Sequence, residues 1–308
     1  MPVDIGCDLL GLKLKNPTIL ASGILGTSAD LLERAARCGA GAVTSKSCGP
    51  EAREGHPNPV SVVWKGGIIN AIGLSNPGAQ QEVQVLKAAK QALVEHGTVL
   101  IASIFAPTVD AFAQVARIIQ DAQPDLIEIN ISCPNVGDEF GTPFAGSPAL
   151  AAEVTSAVRE VTEIPISVKL TPNVPSVARV AQAVVKAGAD AITAINTMPG
   201  MLIDAQAGRA MLSNRFGGLS GWSLKPIALR CVAEICQAVD VPVIGTGGIR
   251  SGLDAAEMIM AGATAVGVGS AAWERGMEVF DLINEELRGF MEQEGYLDLN
   301  AMRGIAIR

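Results

Sequence analysis

The sequence predicts an α/β chain folded as a (β/α)8 TIM barrel, with a small N-terminal hairpin and insertions at the C-terminal face. Three observations predict it. A unit of helix end, glycine and strand recurs in "ARCGAGAVTS" (36–45), "VKAGADAITAIN" (185–196) and "MAGATAVGVGS" (260–270), each with a glycine able to take the left-handed cap before a β-rich run. Eight apolar, β-rich runs alternate with amphipathic helical stretches, the pattern of a closed parallel barrel. The residues that end those runs are almost all polar or glycine, as expected where strand C-termini carry a site.

In chain order, "IGCDLLGLKLKNP" reads as a small hairpin closing the bottom of the barrel. The strand candidates then follow: "PTILASG" from 17, the first repeat ending near Ser45, "TVLIASIFA" from 98, "DLIEINIS" from 125, "PISVKL" from 165, the second repeat, "VPVIGTGG" from 241 and the third repeat. Connections 47–76 and 197–221, after the second and sixth strands, are long, and long insertions at strand C-termini build active-site rims. An open dinucleotide-binding sheet is the competing architecture, but its fingerprint is missing: Arg250 occupies the last glycine position in "GTGGIRSG" (245–252). No linker or low-complexity tract divides the chain, which predicts a single domain over 1–308.

Composition narrows the function. Apolar residues are 49% and aromatics 4% of the chain, which suits Val, Ile and Ala packed in parallel strands and against helices. A net charge of −8 should repel phosphate backbones and anionic lipid surfaces, so neither nucleic acid nor membrane is expected as a partner. The N-terminus has no leader pattern and no run is long enough to span a bilayer, predicting a cytoplasmic protein. Six cysteines, without a C-x-x-C pair or Cys/His cluster, predict reduced thiols and no metal.

The predicted strand ends carry Ser22, Lys46, Ser103, Asn130, Lys169, Asn196, Thr246 with Gly247 and Gly248, and Gly269 with Ser270. Small polar residues are ordinary at loop starts. Lys46 and Lys169 are not, because an ammonium ending a buried strand needs an anion or strong acceptor. The turns "GTGG" and "GVGS" after adjacent strands, with Gly221 opening the helix before them, match a phosphate cradle of backbone N–H groups. A lysine aimed from the fifth strand toward the barrel centre would suit the N1 and O2 side of a flavin, where negative charge gathers on reduction.

The stretches "INISCPNV", "NAIGLSNPG" (70–78), "VKLTPNV" (168–174), "INTMPGMLID" (195–204), "GGLSGWSLKPIALR" (217–230) and "GTGGI" (245–249) together resemble the class 1 dihydroorotate dehydrogenases over about residues 3–290. The "NAIGL" and "GLSG" forms look most like the class 1B catalytic subunit. The resemblance implies a barrel carrying FMN that oxidises (S)-dihydroorotate to orotate in pyrimidine biosynthesis, with Cys133 as the base that takes the C5 proton while hydride leaves C6. It further implies that Asn70, Asn130, Asn135 and Asn196 grip the ring edge and that Lys46 sits near both flavin and substrate carboxylate. Backbone at Ala71, Ile72, Gly73 and Leu74 and the Thr197 hydroxyl complete the substrate pocket. Ser22, Lys46, Ser47, Ser103, Asn130, Lys169 and Ile195 line the flavin, with Gly221, Gly247, Gly248, Gly269 and Ser270 toward its phosphate end.

Two passages depart from the family pattern: "ASIFAPTVD" lacks the asparagine and glycine that relatives show after the third strand, and "EGHPNPVSV" (54–62) differs from the usual proline-rich form. His56 is accordingly expected at a surface loop. Cys7, Cys38, Cys231 and Cys236 are expected to be core residues, while Cys48, beside Lys46, could be either. The stretch "VGDEFGTPFAGSP" (136–148) is expected to act as a lid. Because the chain has no dinucleotide fingerprint and no cysteine cluster, the class 1B resemblance implies a partner subunit carrying FAD and [2Fe–2S] that passes electrons to NAD⁺, in a homodimer or heterotetramer. The alternatives are a class 1A enzyme using fumarate at its own flavin, and another FMN barrel acting on a pyrimidine, such as a dihydropyrimidine dehydrogenase domain or tRNA dihydrouridine synthase. Acidity argues against the tRNA enzyme, and Lys46 favours a carboxylated substrate over uracil.

Overall fold

The computed structural model describes residues 3–132 and 144–308. Two short strands, β1 (Cys7–Leu9) and β2 (Leu12–Leu14), pair antiparallel through a two-residue turn at Leu10 and Gly11, both with positive φ, the backbone a right-twisted hairpin requires. Leu9 and Leu14 are buried in the main core, so the hairpin is tied to the barrel by apolar packing.

The eight predicted strands are all present. They are β3 (Thr18–Leu20), β4 (Ala42–Thr44), β7 (Val99–Ile104), β8 (Leu126–Asn130), β9 (Ile166–Leu170), β10 (Ala191–Ala194), β15 (Val243–Thr246) and β16 (Ala265–Val268), hydrogen-bonded in parallel as one closed barrel. Every residue of β8 and β9 is buried, because the inner face fills the barrel and the outer face meets helices. Five of the helices that follow strands start at a Ser or Thr whose hydroxyl accepts from a first-turn N–H: Ser28, Thr108, Ser147, Ser176 and Ser251.

The three recurring sequence units end their helices identically. Gly39, Gly188 and Gly262 have φ of 94°, 105° and 111°. In each, the glycine N–H bonds three residues back and the following N–H bonds five residues back: Ala40 to Ala35, Ala189 to Val184, and Ala263 to Met258. These are Schellman caps, which turn the chain directly into the next strand. At Ser251 the cap is reciprocal, since Asp254 accepts from the Ser251 N–H. Ser251→Ala is expected to lower stability by about 1 kcal/mol, read as a lower urea midpoint with unchanged slope; an unchanged midpoint would show that the Asp254 contacts suffice alone.

Both long connections rise above the C-terminal ends of the barrel and join. β5 (Ser61–Trp64) and β6 (Gly67–Asn70) from the first pair with β11 (Met198–Gly200) and β14 (Gly217–Ser220) from the second, in the order β11-β14-β6-β5. A two-stranded hairpin, β12 (Ile203–Asp204) with β13 (Arg209–Ala210), lies within the second connection. The predicted rim is thus one antiparallel sheet, and the pairing of Gly218 with Asn70 brings Asn70 over the barrel mouth.

Candidate active site

A cleft opens at this mouth, between the barrel strand ends and the β6/β14 edge of the rim sheet, enclosing about 1050 Å³ when the space open to solvent is counted. Barrel strand ends supply Ser22, Lys46, Ser47, Asn130 and Lys169 to its wall. The sixth strand continues into Ile195, Asn196 and Thr197, while the first long connection contributes Asn70, Ile72, Gly73 and Leu74. Gly221, Gly247, Gly248, Gly269 and Ser270 line the remaining side. Residues separated by up to about 250 positions thus converge because parallel strands all end at one face.

Alternation along β8 explains the polar floor. Glu128 and Asn130, two residues apart, share the inner face, and Asn130 lies opposite Lys169 on β9. Asn196 Nδ2 donates to Asn130 Oδ1 at 3.3 Å and to Ser132 Oγ at 2.8 Å, and its Oδ1 accepts from Thr197 N at 2.8 Å. Asn130 Nδ2 in turn donates to Ser47 Oγ at 3.2 Å. These bonds hold both carboxamides in fixed orientations, so their remaining donors and acceptors are presented in a set pattern. Across the cleft, Asn70 Nδ2 donates to Gly218 O at 3.4 Å, anchoring the third carboxamide to the rim sheet. Three amides facing a cleft that also holds two lysines can grip a flat, anionic ligand with alternating N–H and C=O groups.

The sequence matches the dihydroorotate dehydrogenase family over residues 5–291. The chain belongs to that family. The catalytic subunit of dihydroorotate dehydrogenase B (NAD⁺) of Methanosarcina mazei is 46% identical over 299 residues, covering 97% of this chain and 94% of its own. The subunits of the same name from Methanothermobacter thermautotrophicus and Pyrococcus abyssi are 43% and 42% identical, each covering at least 97% of both chains.

Two of the site residues expected from the dihydroorotate dehydrogenase resemblance do not line the cleft. Ala71 packs its side chain with Ile69 and Leu212, and its N–H donates to Val60 O at 2.8 Å. Ser103 lies behind the wall, bonded to Ser47 Oγ at 2.8 Å and Glu128 Oε1 at 3.0 Å. Cys133, Asn135 and most of the expected lid lie outside the described residues. Cys48 is fully buried beside Glu82 and does not line the cleft; burial pushes its thiol well above the ordinary range. Burial likewise raises Cys7 and Cys236 to about 11, and Cys38 and Cys231 upward. His56 lies in a loop, half-buried and packed on Gly73 of the cleft wall, with Nδ1 buried and unbonded among the described residues.

Glu128 is the residue that sequence reasoning missed. It is the anion that Lys169 was expected to need, with Oε1 3.6 Å from Lys169 Nζ and both side chains buried. The signal was present as a glutamate in the otherwise apolar run "LIEIN", in step with Asn130. Among the described residues no group of three or more His, Cys, Asp or Glu is placed to hold a metal, and no helix is long and apolar enough to cross a membrane.

Proposed function

We propose that this chain is the catalytic subunit of an NAD⁺-linked dihydroorotate dehydrogenase, oxidising (S)-dihydroorotate to orotate in de novo pyrimidine biosynthesis. The observation that carries the reading is the convergence of Asn70, Asn130, Asn196, Lys46 and Lys169 on one cleft in a chain of this family. Family membership implies a flavin, and the cleft fits FMN. A Cβ on Gly269 would meet only Ala21 Cβ at 3.8 Å, so the backbone there borders open space. Packing within the chain therefore does not demand glycine at that position, which leaves room for a ligand to approach the backbone. FMN, when bound, supplies the acceptor for the substrate hydride.

The residues then divide by place. Gly221, Gly247, Gly248, Gly269 and Ser270 would hold the phosphate end, and Ser22, Ser47, Ile195 and Lys169 the ring. Asn70, Asn130, Asn135, Asn196 and Thr197 would orient the pyrimidine, with the Lys46 ammonium near its carboxylate. Cys133 would accept the C5 proton as hydride leaves C6, so that both electrons of the C6–H bond pass to the acceptor and the proton passes to sulfur.

Electrons must then leave the barrel. The relatives' names, catalytic subunit of an NAD⁺-linked enzyme, support a separate electron-transfer subunit, for which we propose FAD and a [2Fe–2S] cluster, within a cytoplasmic assembly built on a homodimer or heterotetramer. Anaerobic addition of dihydroorotate to the isolated yellow protein is expected to bleach the flavin at once, without NAD⁺ reduction; co-expression with the electron-transfer subunit is expected to create NAD⁺ reduction. Persistent colour would count against the dehydrogenase. Rapid, saturable fumarate turnover by this chain alone would instead assign it to the fumarate-using class, and NAD⁺ reduction by it alone would remove the partner.

A further inference from the structure

A continuous line of polar side chains runs beneath the cleft. Ser22 Oγ and Ser47 Oγ are 3.2 Å apart, Ser47 Oγ and Ser103 Oγ 2.8 Å, Ser103 Oγ donates to Glu128 Oε1 at 3.0 Å, and Lys169 Nζ lies 3.6 Å from the same oxygen. Glu128 and Lys169 are only 4% and 5% exposed. An ionised carboxylate only accepts, so Glu128 sets the polarity of the line. With the Ser103 hydrogen given to Glu128, Ser47 must donate to Ser103 and Ser22 to Ser47. Ser47 is then free to accept the 3.2 Å bond from Asn130 Nδ2. One buried carboxylate thereby orients hydroxyls at the ends of three strands and the Asn130 amide that lines the cleft.

Its second effect is electrostatic. At 3.6 Å the contact with Lys169 is an ion pair and not a hydrogen bond, and Lys169 also lines the cleft. The ammonium is thus opposed by a negative charge from beneath, in an interior where charges are weakly screened. A lone lysine at that place would favour added negative charge in the cleft more strongly than the pair does.

We propose that Glu128 is a positioning residue that restrains Lys169, lowering the preference of the cleft for reduced over oxidised FMN. Such restraint suits a flavin that must release its electrons onward to NAD⁺ instead of holding them. The inference rests on the FMN reading above and adds to it a residue that does not touch the ligand.

The test compares wild type, Glu128→Gln, Lys169→Met and the double variant, each loaded with FMN and titrated for midpoint potential against redox dyes. Glu128→Gln is expected to raise the ratio of reduced to oxidised FMN affinity by about tenfold or more, a potential rise of about 30 mV for a two-electron couple. Lys169→Met is expected to lower the potential, and the double variant to match Lys169→Met, because Glu128 acts through that ammonium; a double variant raised above it by the full factor overturns the positioning role. Glu128→Asp, which keeps the charge, should stay close to wild type. General structural damage would weaken both redox states alike and leave the potential in place. An unmoved or lowered potential in Glu128→Gln overturns the proposal. If that variant fails to fold, Glu128→Met in the same titration decides, an unmoved or lowered potential overturning the proposal equally. Wild-type apoprotein that does not quench FMN fluorescence would refute the FMN reading itself, whereas FMN binding with an unmoved potential refutes only the role of Glu128.

Discussion

Cys133→Ala is expected to slow reduction of the bound flavin by dihydroorotate by about two to four orders of magnitude, the usual worth of a positioned general base. FMN and orotate should still bind, because the carboxamides and glycine turns that line the cleft are untouched by the change. Cys133 follows Ser132, whose Oγ accepts from Asn196 Nδ2 and whose N–H donates to Asn130 Oδ1. The five described cysteines make poor substitutes: each is buried or half-buried, and desolvation raises every one of their thiols. Cys133→Ser should retain a remnant of activity that climbs further with pH, since a hydroxyl is a far weaker acid than a thiol. Stopped-flow reduction of Cys133→Ala at a near-normal rate would remove this residue from the mechanism.

What the sequence made legible was local. The cap glycines Gly39, Gly188 and Gly262 were readable because a Schellman cap involves six consecutive residues, and each such unit announced the strand after it. Lys169 was readable as a charge in need of a partner because its five-residue strand is otherwise fit for burial. Its partner was not, since Glu128 lies 41 positions earlier and meets Lys169 only once β8 and β9 pair. The same holds for the rim: β6 and β14 are joined across about 150 residues, and no periodicity within either segment specifies that pairing. Ala71 shows a finer limit. A resemblance can assign a backbone role to the run from Ala71 to Leu74, but burial of the Ala71 side chain against Ile69 and Leu212 depends on how the rim sheet seats. The contact of His56 with Gly73 was illegible for a related reason, as only the fold brings the two together.

Glu82→Gln is expected to stabilise the protein in a strongly pH-dependent way. Glu82 lies in the first turn of helix Ala79–Leu93, is 1% exposed, and its Oε1 has no hydrogen-bond partner among the described residues. Burial pushes its carboxyl from an ordinary 4.5 up to about 7. Below about pH 4.5 the group is protonated in both folded and unfolded chains and carries no charge-burial penalty. Between there and about pH 7 the unfolded chain releases its proton first, so stability falls as pH rises. Above that window the loss is complete, at about 3 kcal/mol from roughly 1.36 kcal/mol per pKa unit. Urea unfolding should therefore show Glu82→Gln gaining about 2–3 kcal/mol over wild type at pH 8, with the gain shrinking toward zero near pH 4. A difference between the two proteins that stays constant with pH would mean that Glu82 is not the titrating group. The cost has a local counterpart at Cys48, whose thiol is raised first by its own burial and then by the Glu82 carboxylate. Two residues from Lys46, that pairing keeps the Cys48 sulfur in its protonated, unreactive form.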